Sequence, residues 1–95
     1  MTYKIEIRGQ ADEEIYEAYK WYEEQVAGLG HRFIHELESV FQKIATNPQH
    51  YKTARSVFRQ ASLKTLLFVI YFEIVNNAII VYSVFHTKRK PKNPF

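Results

Sequence analysis

Apolar and polar positions alternate from Thr2 to Arg8: Tyr3, Ile5 and Ile7 fall on one side, Lys4, Glu6 and Arg8 on the other. A period of two with one apolar side predicts a strand with one buried face. Gly9 and Gln10 end it. The period then lengthens, and Ile15, Ala18, Tyr19, Tyr22 and Val26 recur at helical spacing, a stripe about a hundred degrees wide. Asp12 is placed to cap this helix, and Glu13, Glu14 and Glu17 favour its first turns through the macrodipole. Gly28 and Gly30 break it and leave a very short connection. Phe33, Ile34, Leu37, Val40, Phe41 and Ile44 stripe a second helix. Asn47-Pro48 ends that helix, because proline cannot continue the ladder and restrains the residue before it. Helices joined this tightly are expected to lie antiparallel as a hairpin.

The second half reads as strands: a short one near residues 57–61, then clearer ones over 66–75 and 78–86. Asn76-Asn77 separates the last two, and asparagine tolerates the positive φ that a two-residue hairpin turn demands. The predicted order is β-α-α-β-β-β, an α+β fold whose antiparallel sheet carries a helical hairpin on one face. Pairing Val75 with Ala78 sets Tyr71 against Tyr82, Val69 against Val84 and Leu67 against His86, with Glu73 and Ile80 on the same side. The other side holds Phe68, Ile70, Phe72 and Ile74 against Phe85, Ser83, Val81 and Ile79. It is far more apolar, so the helices are expected to pack there. The side bearing Tyr71, Glu73, Tyr82 and His86 is expected to stay open for function.

With 95 residues the chain is expected to form one domain over residues 1–95, with a basic tail over 87–95. Seven Phe, seven Tyr and one Trp give this short chain an efficient core. The longest apolar run, residues 66–72, is too short to span a membrane, and the alternating start lacks the charged and apolar blocks of a signal peptide. A cytoplasmic protein without a membrane partner is therefore expected. The absence of cysteine excludes disulfides and thiolate metal sites. Charge is more telling in its distribution than in its net value of +3. Residues 1–50 carry five Lys/Arg against nine Asp/Glu, whereas residues 51–95 carry eight against one. Nucleic acid, an acidic protein segment or a headgroup layer would suit that positive half, and so would a purely solubilising tail.

Several segments together resemble a known family. They are Tyr-Lys-Trp-Tyr-Glu-Glu-Gln at 19–25, Gly28-Leu29-Gly30 with Arg32-Phe33, and Ile-Ala-Thr-Asn-Pro at 44–48 followed by Tyr51. Phe58-Arg59 follows, then residues 81–85 running into His86-Thr87-Lys88-Arg89-Lys90-Pro91. In this order, over nearly the whole chain, they resemble the RelE/ParE superfamily of type II toxin–antitoxin toxins. The pattern His86-x-x-Arg89 points to the ParE-like branch, which includes plasmid-stabilisation proteins. One departure is Leu66-Leu67-Phe68, where the family often shows Phe-Pro-Tyr. The resemblance implies a growth-inhibiting toxin held by a cognate antitoxin as a hetero-oligomer, needing no cofactor. A ParE-like member would inhibit an essential replication target such as DNA gyrase. A RelE-like member would instead cleave mRNA on the ribosome, so enzyme activity stays open. A non-toxic relic that only engages an antitoxin is the remaining alternative.

Under the nuclease alternative, Arg59 would bind phosphate and His86 would move protons as acid or base, the two forming the catalytic pair. Tyr71 and Tyr82 would stack on bases, while Lys88, Arg89, Lys90 and Lys92 would contact the target or a nucleic-acid backbone. Plain structural roles compete: a surface histidine ending a strand, an arginine paired with an acid, and cross-strand tyrosines worth about 0.2–1 kcal/mol. Leu67, Val69, Ile80 and Val84 make an apolar stripe on the open face, expected to bind the antitoxin as a helix or an added strand. The first loop, or the tail with Phe95, would also cover it. His31 and His35 stand four apart with Glu38 a turn beyond, but no further ligand is evident and no metal site is expected.

Overall fold

A computed structural model describes residues 2–87. Lys88, Arg89, Lys90, Lys92 and Phe95, singled out above, lie outside the described residues. Along the chain come β1 (Lys4–Ile7), α1 (Gly9–Gln25), α2 (Leu29–Thr46), a 3₁₀ turn (Pro48–His50), β2 (Thr53–Arg55), β3 (Phe58–Ser62), β4 (Phe68–Val75) and β5 (Ala78–His86). The expected α+β class and helical hairpin are both present. The sheet of the described residues has the order β1-β5-β4-β3-β2. Strands β2 to β5 pair antiparallel, as expected, while β1 joins β5 in parallel and makes the sheet mixed. The chain leaves β1 through both helices, enters the far edge at β2, and winds back until β5 meets β1. Strand β2, which the periodicity does not announce, has three exposed residues. It turns into β3 through Ser56, at φ 54°. Among the described residues no helix is long and apolar enough to cross a membrane.

Helix α1 starts earlier than its capping signal suggests. Gly9 is its first residue, Arg8 precedes it without a side-chain cap, and the Asp12 amide donates to the Arg8 carbonyl at 2.9 Å. Asp12 therefore sits inside the first turn, where its charge favours the dipole instead of capping. Val26 lies just past the helix and is 59 % exposed, so it leaves the expected stripe. The stripe of α2 holds: Phe33, Leu37, Val40 and Ile44 are buried and join Ile70, Phe72, Ile79 and Val81 in the core. Gly28, at φ 90°, lets the chain turn between the helices. Gly30 permits their close approach, since a Cβ there would lie 2.7 Å from the Tyr19 carbonyl oxygen.

Two carboxylates of the helical layer act as clamps. Glu23 of α1 accepts from the amides of Gly28 (2.8 Å) and Gly30 (3.0 Å), satisfying donors at the start of α2 that a helix leaves unpaired. The Gly28 bond is the main cause of its lowered pKa, and the His31 imidazole, 3.6 Å away, adds to the effect. Glu36 of α2 accepts from the hydroxyl and amide of Thr65 and from the Leu66 amide, tying down the segment before β4. Burial pushes its pKa up, but these bonds together outweigh it and hold it below the ordinary 4.5. A carboxylate with a depressed folded-state pKa contributes stability above its unfolded value, and that contribution fades as pH falls through the folded value. Urea midpoints are therefore expected to decline as pH drops below 4.5, with a shallower decline in the double variant Glu23→Gln/Glu36→Gln. Equal slopes in both proteins would remove these two clamps from the explanation.

The β4–β5 hairpin follows the expected pairing only at first. Val75 opposes Ala78, and the register continues to Phe72 opposite Val81. Tyr71 then pairs with Ser83, so Tyr82 is an extra residue and β5 bulges. Because side chains alternate, the slip by one moves Val84, Phe85 and His86 to the side opposite the expected one, while the Ser83 hydroxyl stays toward the helices. Val84, expected on the open side, instead pairs with Ile70 in the core at 1 % exposure. His86 pairs with Phe68, their rings 5.4 Å apart, so it also leaves the open side. Phe85 crosses the other way, opposite Val69, with its ring 4.9 Å from that of Tyr71. Glu14 of α1 explains why the bulge is tolerated: its Oε1 accepts from the Ser83 hydroxyl and the Val84 amide, both at 3.0 Å. An acceptor from the helix thus serves donors where the ladder is interrupted.

The slip also revises the expected apolar stripe. Val69 and Ile80 keep to the side away from the helices, yet they are only 6 % and 5 % exposed. Leu67, just ahead of β4, is 53 % exposed. Of the four residues, only Leu67 is offered to a partner in this conformation.

Candidate functional site

The sheet face turned away from the helices gathers its polar groups around Tyr82. The bulge places this residue beyond the regular ladder, and its phenol donates to Glu73 Oε1 at 2.8 Å. Arg8 reaches the same point because its amide donates to the Val81 carbonyl at 3.0 Å, extending the β1–β5 pairing by one step. Its guanidinium carbon then lies 5.8 Å from the centre of the Tyr82 ring, within cation–π range. The ring of Phe58, at the start of β3, meets Tyr82 edge to face at 5.3 Å. Burial raises the Tyr82 pKa above 10.0, the bond to Glu73 and its charge raise it further, and Arg8 opposes both. The phenol consequently stays protonated at neutral pH, a fixed donor between a carboxylate and a cation. Such a cluster can hold a polar or anionic group against an aromatic surface.

An open groove of about 540 Å³ adjoins this face, with Lys52, Gln60 and Ser62 among its lining residues. Gln60 and Ser62 are the cross-strand partners of Tyr71 and Val69, so the groove continues the face. His50 and Tyr51 also line it, and burial raises the Tyr51 pKa.

The residues predicted from sequence are distributed unevenly. Tyr71 and Tyr82 both lie on the open face, half-buried, one against Phe85 and the other against Phe58. Arg59 pairs with Phe72, and its guanidinium donates to the Tyr51 carbonyl. His86 pairs with Phe68, four residues back along β4. Four residues span about 13 Å of strand, and two strand spacings add about 10 Å across the sheet. Arg59 and His86 are therefore not brought to one point. His31 lies beside Glu23 and against the Tyr19 ring, and among the described residues no group of three His, Cys, Asp or Glu could hold a metal. Arg8, Phe58 and Glu14 are not among the site residues that the sequence predicts. Strand parity does put Phe58 on the same side as Gln60, but Arg8 reaches the face only through the non-local pairing of β1 with β5.

A family model described as the ParE toxin of type II toxin–antitoxin system, parDE, matches residues 5–91. A solved chain of the chromosomal ParDE TA system from P. aeruginosa superposes with a TM-score of 0.79 at 9 % identity, covering 90 % of this chain and 96 % of that one. Sequence comparison with curated proteins finds no match. At so low an identity the structural likeness speaks for the fold alone, and the family rests on the model match.

Proposed function

Because the chain belongs to the ParE toxin family of type II toxin–antitoxin systems, we propose that it inhibits an essential replication target such as DNA gyrase and is neutralised by a cognate antitoxin. The observation that carries this conclusion is the family match over nearly the full length. Toxin and antitoxin form a hetero-oligomer in the cytoplasm, without a cofactor. The target meets the Arg8–Glu73–Tyr82 cluster and the basic sequence that follows β5, where Lys88, Arg89, Lys90 and Lys92 lie within five residues. The antitoxin covers Leu67 and the exposed aromatics of α1, Tyr16 and Trp21, which are 62 % and 56 % exposed. Covering such groups is favourable by roughly 25 cal/mol per Å² of apolar surface removed from water.

The experiment is a pulse-label of DNA and protein synthesis after inducing the chain alone. Thymidine incorporation is expected to fall within minutes and ahead of amino-acid incorporation, and co-expression of a cognate antitoxin should restore it. Truncation before Lys88 should blunt the fall. An earlier drop in amino-acid incorporation would replace the gyrase target with mRNA cleavage and make Arg59 and His86 the residues to substitute. No change in either synthesis would overturn the toxic function.

A further inference from the structure

We propose that the outer edge of β1 pairs with the same edge of a second copy of this chain, joining two five-stranded sheets across a two-fold axis. Strand β1 lies at one edge of the sheet, held on its inner side by β5. Lys4 and Arg8 donate their amides to the Asn77 and Val81 carbonyls at 3.1 and 3.0 Å, so the main chain of Lys4, Glu6 and Arg8 faces β5. The alternate residues, Tyr3, Ile5 and Ile7, turn their N–H and C=O groups outward. The Tyr3 amide is taken by the Ala45 carbonyl at 2.8 Å, so the end of α2 closes the edge there. Farther along, residues 6–9 are all exposed, with Ile7 at 41 %, and a Cβ added at Gly9 would meet nothing within 4 Å. An open edge that carries an apolar side chain is a template for another strand.

The charges of the strand select a second copy as the occupant and fix its register. Three antiparallel registers bring the outward Ile5 and Ile7 of two copies together. The one that opposes Ile5 to its copy also opposes Tyr3 to Ile7, and needs the Tyr3 amide already committed to Ala45. The one that opposes Ile5 to Ile7 sets Glu6 against the partner's Glu6 and Lys4 against the partner's Arg8, like charge on like. The third opposes Ile7 to its copy and has neither fault, for each Glu6 then lies against the partner's Arg8. In it Ile5 meets the partner's Gly9, which starts α1 with an amide that a helix leaves without an acceptor of its own. Glu6 stands opposite Ile80 and Arg8 lies over the Tyr82 ring, so the partner's Glu6 reaches the Arg8–Glu73–Tyr82 cluster. Asp12 and Glu13 of α1 are exposed but belong to the helical side of the sheet, away from this pair. A strand of another protein would need the same alternation by coincidence, whereas a second copy carries it by symmetry. A four-residue strand buries less than the roughly 1,200 Å² of a stable interface, so the dimer is reversible and forms at high protein concentration.

The test is sedimentation velocity of the full chain from about 10 µM to about 1 mM, the span of a weak interface. The sedimentation coefficient should rise toward that of a dimer. Over the same range the Ile7 amide should gain protection from hydrogen exchange, whereas the Glu6 amide, which faces β5, should not. Glu6→Arg and Arg8→Glu each set like charges opposite one another and should weaken the dimer about tenfold. Mixing these two variants restores opposite charges at both pairs, so the mixed dimer should form with wild-type affinity. Ile7→Lys places two ammonium groups across the axis and should weaken pairing by at least about tenfold. Circular dichroism checks that each variant folds. If Arg8→Glu does not, Glu6→Arg and Ile7→Lys, both at exposed positions, carry the test. A chain that stays monomeric throughout the range overturns the pairing. A dimer unmoved by the Glu6 and Ile7 variants overturns this edge as its interface. A mixture no tighter than the single variants overturns the register, and with it the argument for a second copy.

Discussion

Glu14→Ala is expected to lower the unfolding free energy by about 1–3 kcal/mol, the usual cost of stranding buried donors. Its carboxylate serves the Ser83 hydroxyl, on a fully buried residue, and the Val84 amide. The consequence reaches beyond stability. Without that acceptor the bulge loses its compensation, and the regular register, which would swap Val84 and Phe85 between the two sides, competes better. Tyr82 would then drift from Glu73 and Arg8, and its phenol should titrate nearer the ordinary value of 10.0. Glu14→Gln retains a carbonyl acceptor and should recover most of the loss. Urea unfolding gives the stability, and NMR of ring-labelled tyrosine gives the titration. Wild-type values for both in the alanine variant would mean that the bulge is held by other contacts.

Phe33→Ala should be more damaging still, at about 3–5 kcal/mol. The ring is completely buried and stands 5.6 Å from Tyr22 and 5.1 Å from Phe68, joining α1, α2 and β4 in one aromatic cluster. Against a total stability of about 5–15 kcal/mol for a domain of this kind, a loss of that size is a large share of the margin. The thermal midpoint should fall by about 12 °C or more, measured by circular dichroism. A loss below about 1 kcal/mol would show that the neighbouring rings close over the gap.

Much of this fold is legible in the chain because it depends on local spacing. The stripe Phe33, Leu37, Val40, Ile44 of α2 is buried as its period requires, and Asn76 adopts the positive φ of 55° that the hairpin turn needs. What local spacing does not announce is non-local. Strand β2 has no apolar residue to bury beyond Ala54, so no period marks it. The parallel partnership of β1 with β5 joins the two ends of the described chain, which no nearby residue signals. The candidate site suffers most from this. Tyr71 and Tyr82 could be placed on one face by parity alone, whereas Arg8 and the displacement of His86 follow from pairings made far along the chain.

By itself the sequence determines the two helices, the hairpin at Asn76-Asn77, the aromatic core, the positive second half and the ParE-type family pattern. Each depends on residue type and short spacing, which act before any distant segment arrives. Only the tertiary structure decides which side the end of β5 presents. Glu14 and Ser83 are 69 residues apart, and the hydrogen bond between them forms only after α1 has packed on the sheet. A one-residue slip is nearly invisible in an apolar strand such as Ile-Ile-Val-Tyr-Ser-Val-Phe, where either side can be buried. The acceptor from the helix settles the register, and with it the side on which Val84, Phe85 and His86 lie.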